Sequence, residues 1–105
     1  MHSAKLNQKL QELWQKYLPE MLARLEVIHS AIEALSRGNL TDALRNEAAQ
    51  AAHKLAGSLG TFGVHQGTIA AQEIERLLSE KAMPPNICRE LERNLAHLKQ
   101  AIERR

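Results

Sequence analysis

The sequence predicts an all-α fold: an antiparallel up-down four-helix bundle with a short additional N-terminal helix. Three observations predict it. The 105-residue chain is rich in Leu, Ala, Glu, Gln, Lys and Arg, all strong helix formers, while valine, glycine and aromatic residues are scarce. Apolar residues recur at spacings of three and four along the chain. The breaks between these stretches are short and built from Pro, Gly and Asn, so consecutive helices must fold back on one another. The length suits a single domain over residues 1–105, with the core bundle over roughly residues 19–103.

The first stretch, Leu6, Leu10, Leu13 and Tyr17, predicts a short amphipathic helix over residues 4–17, with Trp14 covering the edge of the core. Pro19 removes a backbone donor and restrains Leu18, so a new helix is expected to begin there. It should run to about Ser36, with Met21, Leu22, Leu25, Ile28, Ile32 and Leu35 on one face. His29 falls on that stripe and reads as a packed residue, and Val27 points away from it. Arg37-Gly38-Asn39 carries helix-stop signals, and Asn39 or Thr41 can cap the next helix.

That helix covers about residues 41–60, and Gly60-Thr61-Phe62-Gly63 turns the chain. The following helix runs from about Val64 to Glu80, with Gly67, Ala70, Ala71, Ile74, Leu77 and Leu78 inward and Ile69 off the stripe. Met83-Pro84-Pro85-Asn86 is a breaker. The last helix, roughly residues 86–103, buries Ile87, Leu91, Leu95, Leu98 and Ile102, with Cys88 flanking the stripe and His97 on the polar side.

Composition narrows the function. The net charge is +2 with no basic block, which argues against nucleic-acid binding. No apolar run approaches the ~20 residues of a membrane span, and the N-terminus lacks the apolar core of a signal peptide. A single cysteine, Cys88, excludes an internal disulfide and fits a reducing compartment, so a cytoplasmic protein is expected. The five histidines fall on different helices and faces without paired ligand spacing, so no metal site is expected. Glu26-x-x-His29 is a single Glu-x-x-His, where a di-iron bundle needs two and further glutamates.

The stretch Ala51–Gly63 carries the functional signal. On a helical wheel Leu44, Ala48, Ala51, Leu55, Leu59 and Phe62 fall within roughly 60° of one direction, and His53 lies about 180° away. Its outward neighbours on the wheel, Ala49, Ala56, Gly57 and Gly60, are all small. Glycine inside a helix costs about 1 kcal/mol relative to alanine, and a close approach by another molecule would explain two of them beside one exposed histidine. A neutral, solvated imidazole is a good nucleophile, and its outer nitrogen, Nε2, is the expected reacting atom.

These residues resemble a known signature. His53-Lys54-Leu55-Ala56-Gly57-Ser58, followed by Phe62-Gly63-Val64, resembles histidine-containing phosphotransfer (HPt) domains, whose pattern is roughly H-x-L-K-G-S with a glycine ten residues after the histidine. Ala70–Leu78 looks like the helix that follows in that family. The family often has Lys where this chain has Ala56, which makes Lys54 the nearest basic residue here.

The resemblance implies that His53 accepts a phosphoryl group from the phospho-aspartate of a response-regulator receiver domain and passes it to another receiver aspartate. It implies receivers and a hybrid histidine kinase as partners, with Lys54 and Gly57 beside the phosphate and Ala49, Ala56, Gly57 and Gly60 as the docking face. Val27 and Ile69 are further candidates for that face. The Mg²⁺ would belong to the receiver, and the chain would carry no cofactor of its own. The sequence has no Gly-rich nucleotide loop, so no ATP site or autonomous kinase activity is expected. A monomer is expected. The rival reading is a helical interaction module without phosphorylation, since apolar stripes serve either role equally well.

Overall fold

The computed structural model describes residues 2–80 and 85–105. Four helices follow in order: α1 (His2–Ser36), α2 (Asp42–Thr61), α3 (His65–Ser79) and α4 (Ile87–Glu103). Each packs on its neighbours in the order α1–α2–α3–α4–α1, and among the described residues neither diagonal pair brings its Cα atoms within 8 Å. The result is a square up-down bundle with one apolar core along its axis.

Residues 4–17 and 19–36 form one continuous helix of 35 residues with Pro19 inside it, rather than the separate short helix expected at the N-terminus. A proline in mid-helix loses one backbone bond and crowds the preceding turn, at a cost of about 3 kcal/mol. Burial on both sides of it offsets that cost. Trp14, Met21, Leu25, Ile28 and Ile32 are buried, Leu18 and Leu35 pack against them, and Pro19 itself faces solvent. The buried face is therefore rotated from the expected one. Trp14 is core rather than edge, whereas Leu6 (60% exposed), Leu13, Tyr17 and Leu22 are exposed. Val27 is half-buried against the core, and His29 is half-exposed with its Nε2 3.0 Å from Glu33. The long helix sets the molecule's outline, 53 × 19 × 19 Å.

The turns are closed by two glycines with positive φ, Gly38 (74°) and Gly63 (73°). In each, the next residue's N–H reaches back five residues: Asn39 to the Ala34 carbonyl and Val64 to the Leu59 carbonyl, both at 2.9 Å. Only glycine adopts this left-handed conformation without a Cβ penalty. Of the two cap candidates Thr41 is used, its Oγ1 accepting the Leu44 N–H at 3.1 Å. Helix α2 continues through Gly60 to Thr61, one residue beyond the expected end, and Phe62 caps it. Phe62 packs edge-on against Trp14, with ring centroids 5.2 Å apart, and this ties the end of α2 to α1. Met83 and Pro84 of the expected breaker lie outside the described residues, whereas Pro85 and Asn86 form a turn before α4.

Candidate functional site

Helix α2 positions the site by burying one side completely. Ala48, Ala51, Ala52, Leu55, Ala56 and Leu59 are buried, which fixes the rotation of the helix and leaves His53 outward with 73% of its side chain exposed. Gly57 and Gly60, one and two turns on, are exposed. A Cβ built at Gly57 would meet nothing within 4 Å, so no packing inside this molecule requires glycine there. Ala56 departs from the wheel reading. It is only 8% exposed, because α3 covers that flank, and it supports the surface from beneath rather than forming it. Ala49 is half-buried.

Helix α3 supplies a residue that the wheel of α2 could not show. The Glu75 carboxylate accepts from the Nδ1 of His53, at 3.1 and 3.2 Å to its two oxygens. The sequence signal for this pair is the register of a tight antiparallel turn. Gly60 faces Thr68 across the turn, and seven residues back along α2 and seven forward along α3 arrive at His53 and Glu75. Two full helical turns on each strand of the hairpin keep both side chains on the same face. Glu75 has 35% of its side chain exposed, so the pair sits at the rim of the α2–α3 seam.

Ala49, Gln50, His53, Lys54 and Glu75 line one shallow depression. Lys54 and Glu75 thus both border the depression that holds the imidazole. The neighbouring charges are otherwise occupied. Arg76 bonds to both Glu73 and Glu80, and its hydrogen bond holds the Glu73 carboxyl below the ordinary value of 4.5. Glu75 is left to His53. With Nδ1 donating to Glu75, the other ring nitrogen, Nε2, has no partner among the described residues. The arrangement offers a single unhindered nitrogen lone pair to whatever approaches α2. Ile69 is exposed but lines a groove between α3 and α4 with Asn94, His97 and Arg104, away from this depression.

A family model for the Hpt domain matches residues 12–104. The chain belongs to the Hpt family. Protein RcaC of Microchaete diplosiphon is 32% identical over 66 residues, which cover 63% of this chain and 10% of that protein. No solved structure matches the chain. The Hpt domain serves histidine phosphotransfer in phosphorelays, where it meets receiver domains and histidine kinases. None of the described helices is long and apolar enough to cross a membrane.

Proposed function

We propose that His53 is the phosphoacceptor of this Hpt domain, taking a phosphoryl group from a receiver phospho-aspartate and passing it to another receiver aspartate. The observation that carries this reading is the divided imidazole: Nδ1 is committed to Glu75 and Nε2 is turned out on a helix face of small residues. In the accepting step the Nε2 lone pair attacks phosphorus in line with the scissile bond. The P–O bond to the receiver aspartate breaks, and its electron pair leaves with the carboxylate. A Mg²⁺ held by the receiver would supply charge neutralisation on the phosphoryl oxygens. This chain contributes orientation and access. Its docking face is Ala49, Gly57 and Gly60 with Lys54 at the edge, and Ala56 beneath sets how deep that face lies. The Lys54 ammonium, on a flexible stem, screens the arriving phosphoryl charge. The domain works as a monomer with no cofactor of its own.

The test is phosphoryl transfer from phosphorylated receiver domains to the wild-type chain and to His53→Gln. The expected result is acid-labile label on the wild type and none on the variant. Equal labelling of both proteins would move the site to another histidine.

A further inference from the structure

We infer that Glu75 keeps a proton on Nδ1 of phosphorylated His53, so that the domain gives up its phosphoryl group as readily as it accepts it at neutral and mildly alkaline pH. The inference rests on His53 being the phosphoacceptor, and it concerns the outgoing step.

The argument begins with the leaving group. When the phosphoryl group moves from Nε2 to an acceptor carboxylate, the P–N bond breaks and its electron pair stays on Nε2. If Nδ1 carries a proton, the departing group is neutral imidazole, a good leaving group. If Nδ1 is bare, the departing group is an imidazolate anion, which is a very poor one. Transfer out therefore requires the Nδ1 proton. The phosphorylated ring then bears one positive charge, the phosphoryl group two negative charges and the acceptor carboxylate one. After transfer the ring is neutral with its Nδ1–H intact, and the acyl phosphate carries two negative charges, so the step balances with no proton moved.

The structure puts a carboxylate where that proton must be held. Both Glu75 oxygens lie within 3.2 Å of Nδ1. An opposite charge hydrogen-bonded to a ring nitrogen favours the form that carries the proton there. The other charged groups around the ring do not take over this role. On α2 the neighbour is Lys54, which would oppose protonation, and Gln50 beside it is neutral. On α3 Arg76 is bonded to Glu73 and Glu80. On α1 Glu20 and Arg24 pair with each other at 2.8 Å. Helix α4 lies diagonally across the bundle from α2, and among the described residues their Cα atoms come no closer than 8 Å. The same Nδ1–H leaves Nε2 as the free lone pair in the unphosphorylated ring, so a single proton serves both directions of transfer. Glu75 is a positioning residue in this scheme, acting through the ring and not on the phosphoryl group.

The experiment uses phosphoramidate, a small-molecule donor that needs no partner. Wild type and Glu75→Gln are phosphorylated with it, and the Nδ1 protonation of phospho-His53 is followed by ³¹P and ¹⁵N NMR across pH 5 to 10. Glutamine keeps the hydrogen-bond acceptor and removes the charge. The wild type should retain its Nδ1 proton to a pH about one unit higher than Glu75→Gln. At a pH above both midpoints its transfer to a receiver should be about tenfold faster, the fold-change that corresponds to that shift. Superimposable titration and transfer curves for the two proteins would overturn the inference. Failure of the underlying function looks different: phosphoramidate would label a histidine other than His53, or label on His53 would pass to no receiver aspartate.

Discussion

Gly57 is where the cost and use of one residue can be separated. It lies inside α2, faces solvent one turn from His53, and has open space where a Cβ would go. Nothing within the domain gains from its being glycine, and the helix would be more stable with alanine by about 0.5–1 kcal/mol. On the proposed docking role, the benefit comes from a visiting surface that approaches the backbone closely. Gly57→Ala should therefore raise the melting temperature by several degrees while slowing phosphoryl transfer from a receiver by about tenfold. Thermal unfolding and transfer kinetics on the same preparation check both halves. A variant that is more stable and equally fast would remove Gly57 from the docking face. His53 itself was readable from the wheel, because six apolar residues of α2 fix its direction. Glu75 was not, because one helix's periodicity says which face is outward and not which neighbour lies on either side. The register across the Gly60–Val64 turn supplies that missing information, and it also explains why Ala56, outward on an isolated wheel, is covered by α3.

Helix α1 shows two sequence signals in conflict. Trp14, Leu18, Met21, Leu25, Ile28, Ile32 and Leu35 follow one another at spacings of four and three, an unbroken stripe that crosses Pro19. Proline chemistry argues for a boundary at the same place, and reading it as one rotates the expected buried face onto Leu6, Leu13 and Tyr17. Tertiary packing decides between them. Burying a tryptophan and pairing it with Phe62 rewards continuation, and an exposed ring at Pro19 limits the steric damage to one missing hydrogen bond. Pro19→Ala restores that bond without touching the core. It should stabilise the domain by about 1–3 kcal/mol, with unchanged phosphotransfer, since the substitution lies on the solvent side of α1. Denaturant unfolding measures it. A loss of stability would mean that the proline's rigidity in the unfolded chain outweighs the helix bond.

The bundle positions the His53 face by packing three helices together at one end. Gly67 marks the place. It is buried at the start of α3, and a Cβ there would stand 2.9 Å from Leu59 Cδ1 of α2, 3.2 Å from Val64 Cγ1 and 3.3 Å from the Ala101 Cβ of α4. Close approach at this point brings α3 against α2 and sets the register that carries Glu75 to His53 two turns away. The Leu59 side chain has some freedom to yield, but Ala101 belongs to a helix backbone and can move only with α4. Gly67→Ala should consequently cost about 1–3 kcal/mol, an overpacking penalty that exceeds the gain in helix propensity. It should also reach the site, because displacing α3 from α2 lengthens the Glu75–His53 bond. Two readouts separate these effects. Denaturant unfolding reports the lost stability, and the ¹⁵N shift of His53 Nδ1 reports the bond to Glu75. A destabilised variant with an unchanged Nδ1 signal would show that the α2–α3 register is held along the whole seam rather than from the turn end.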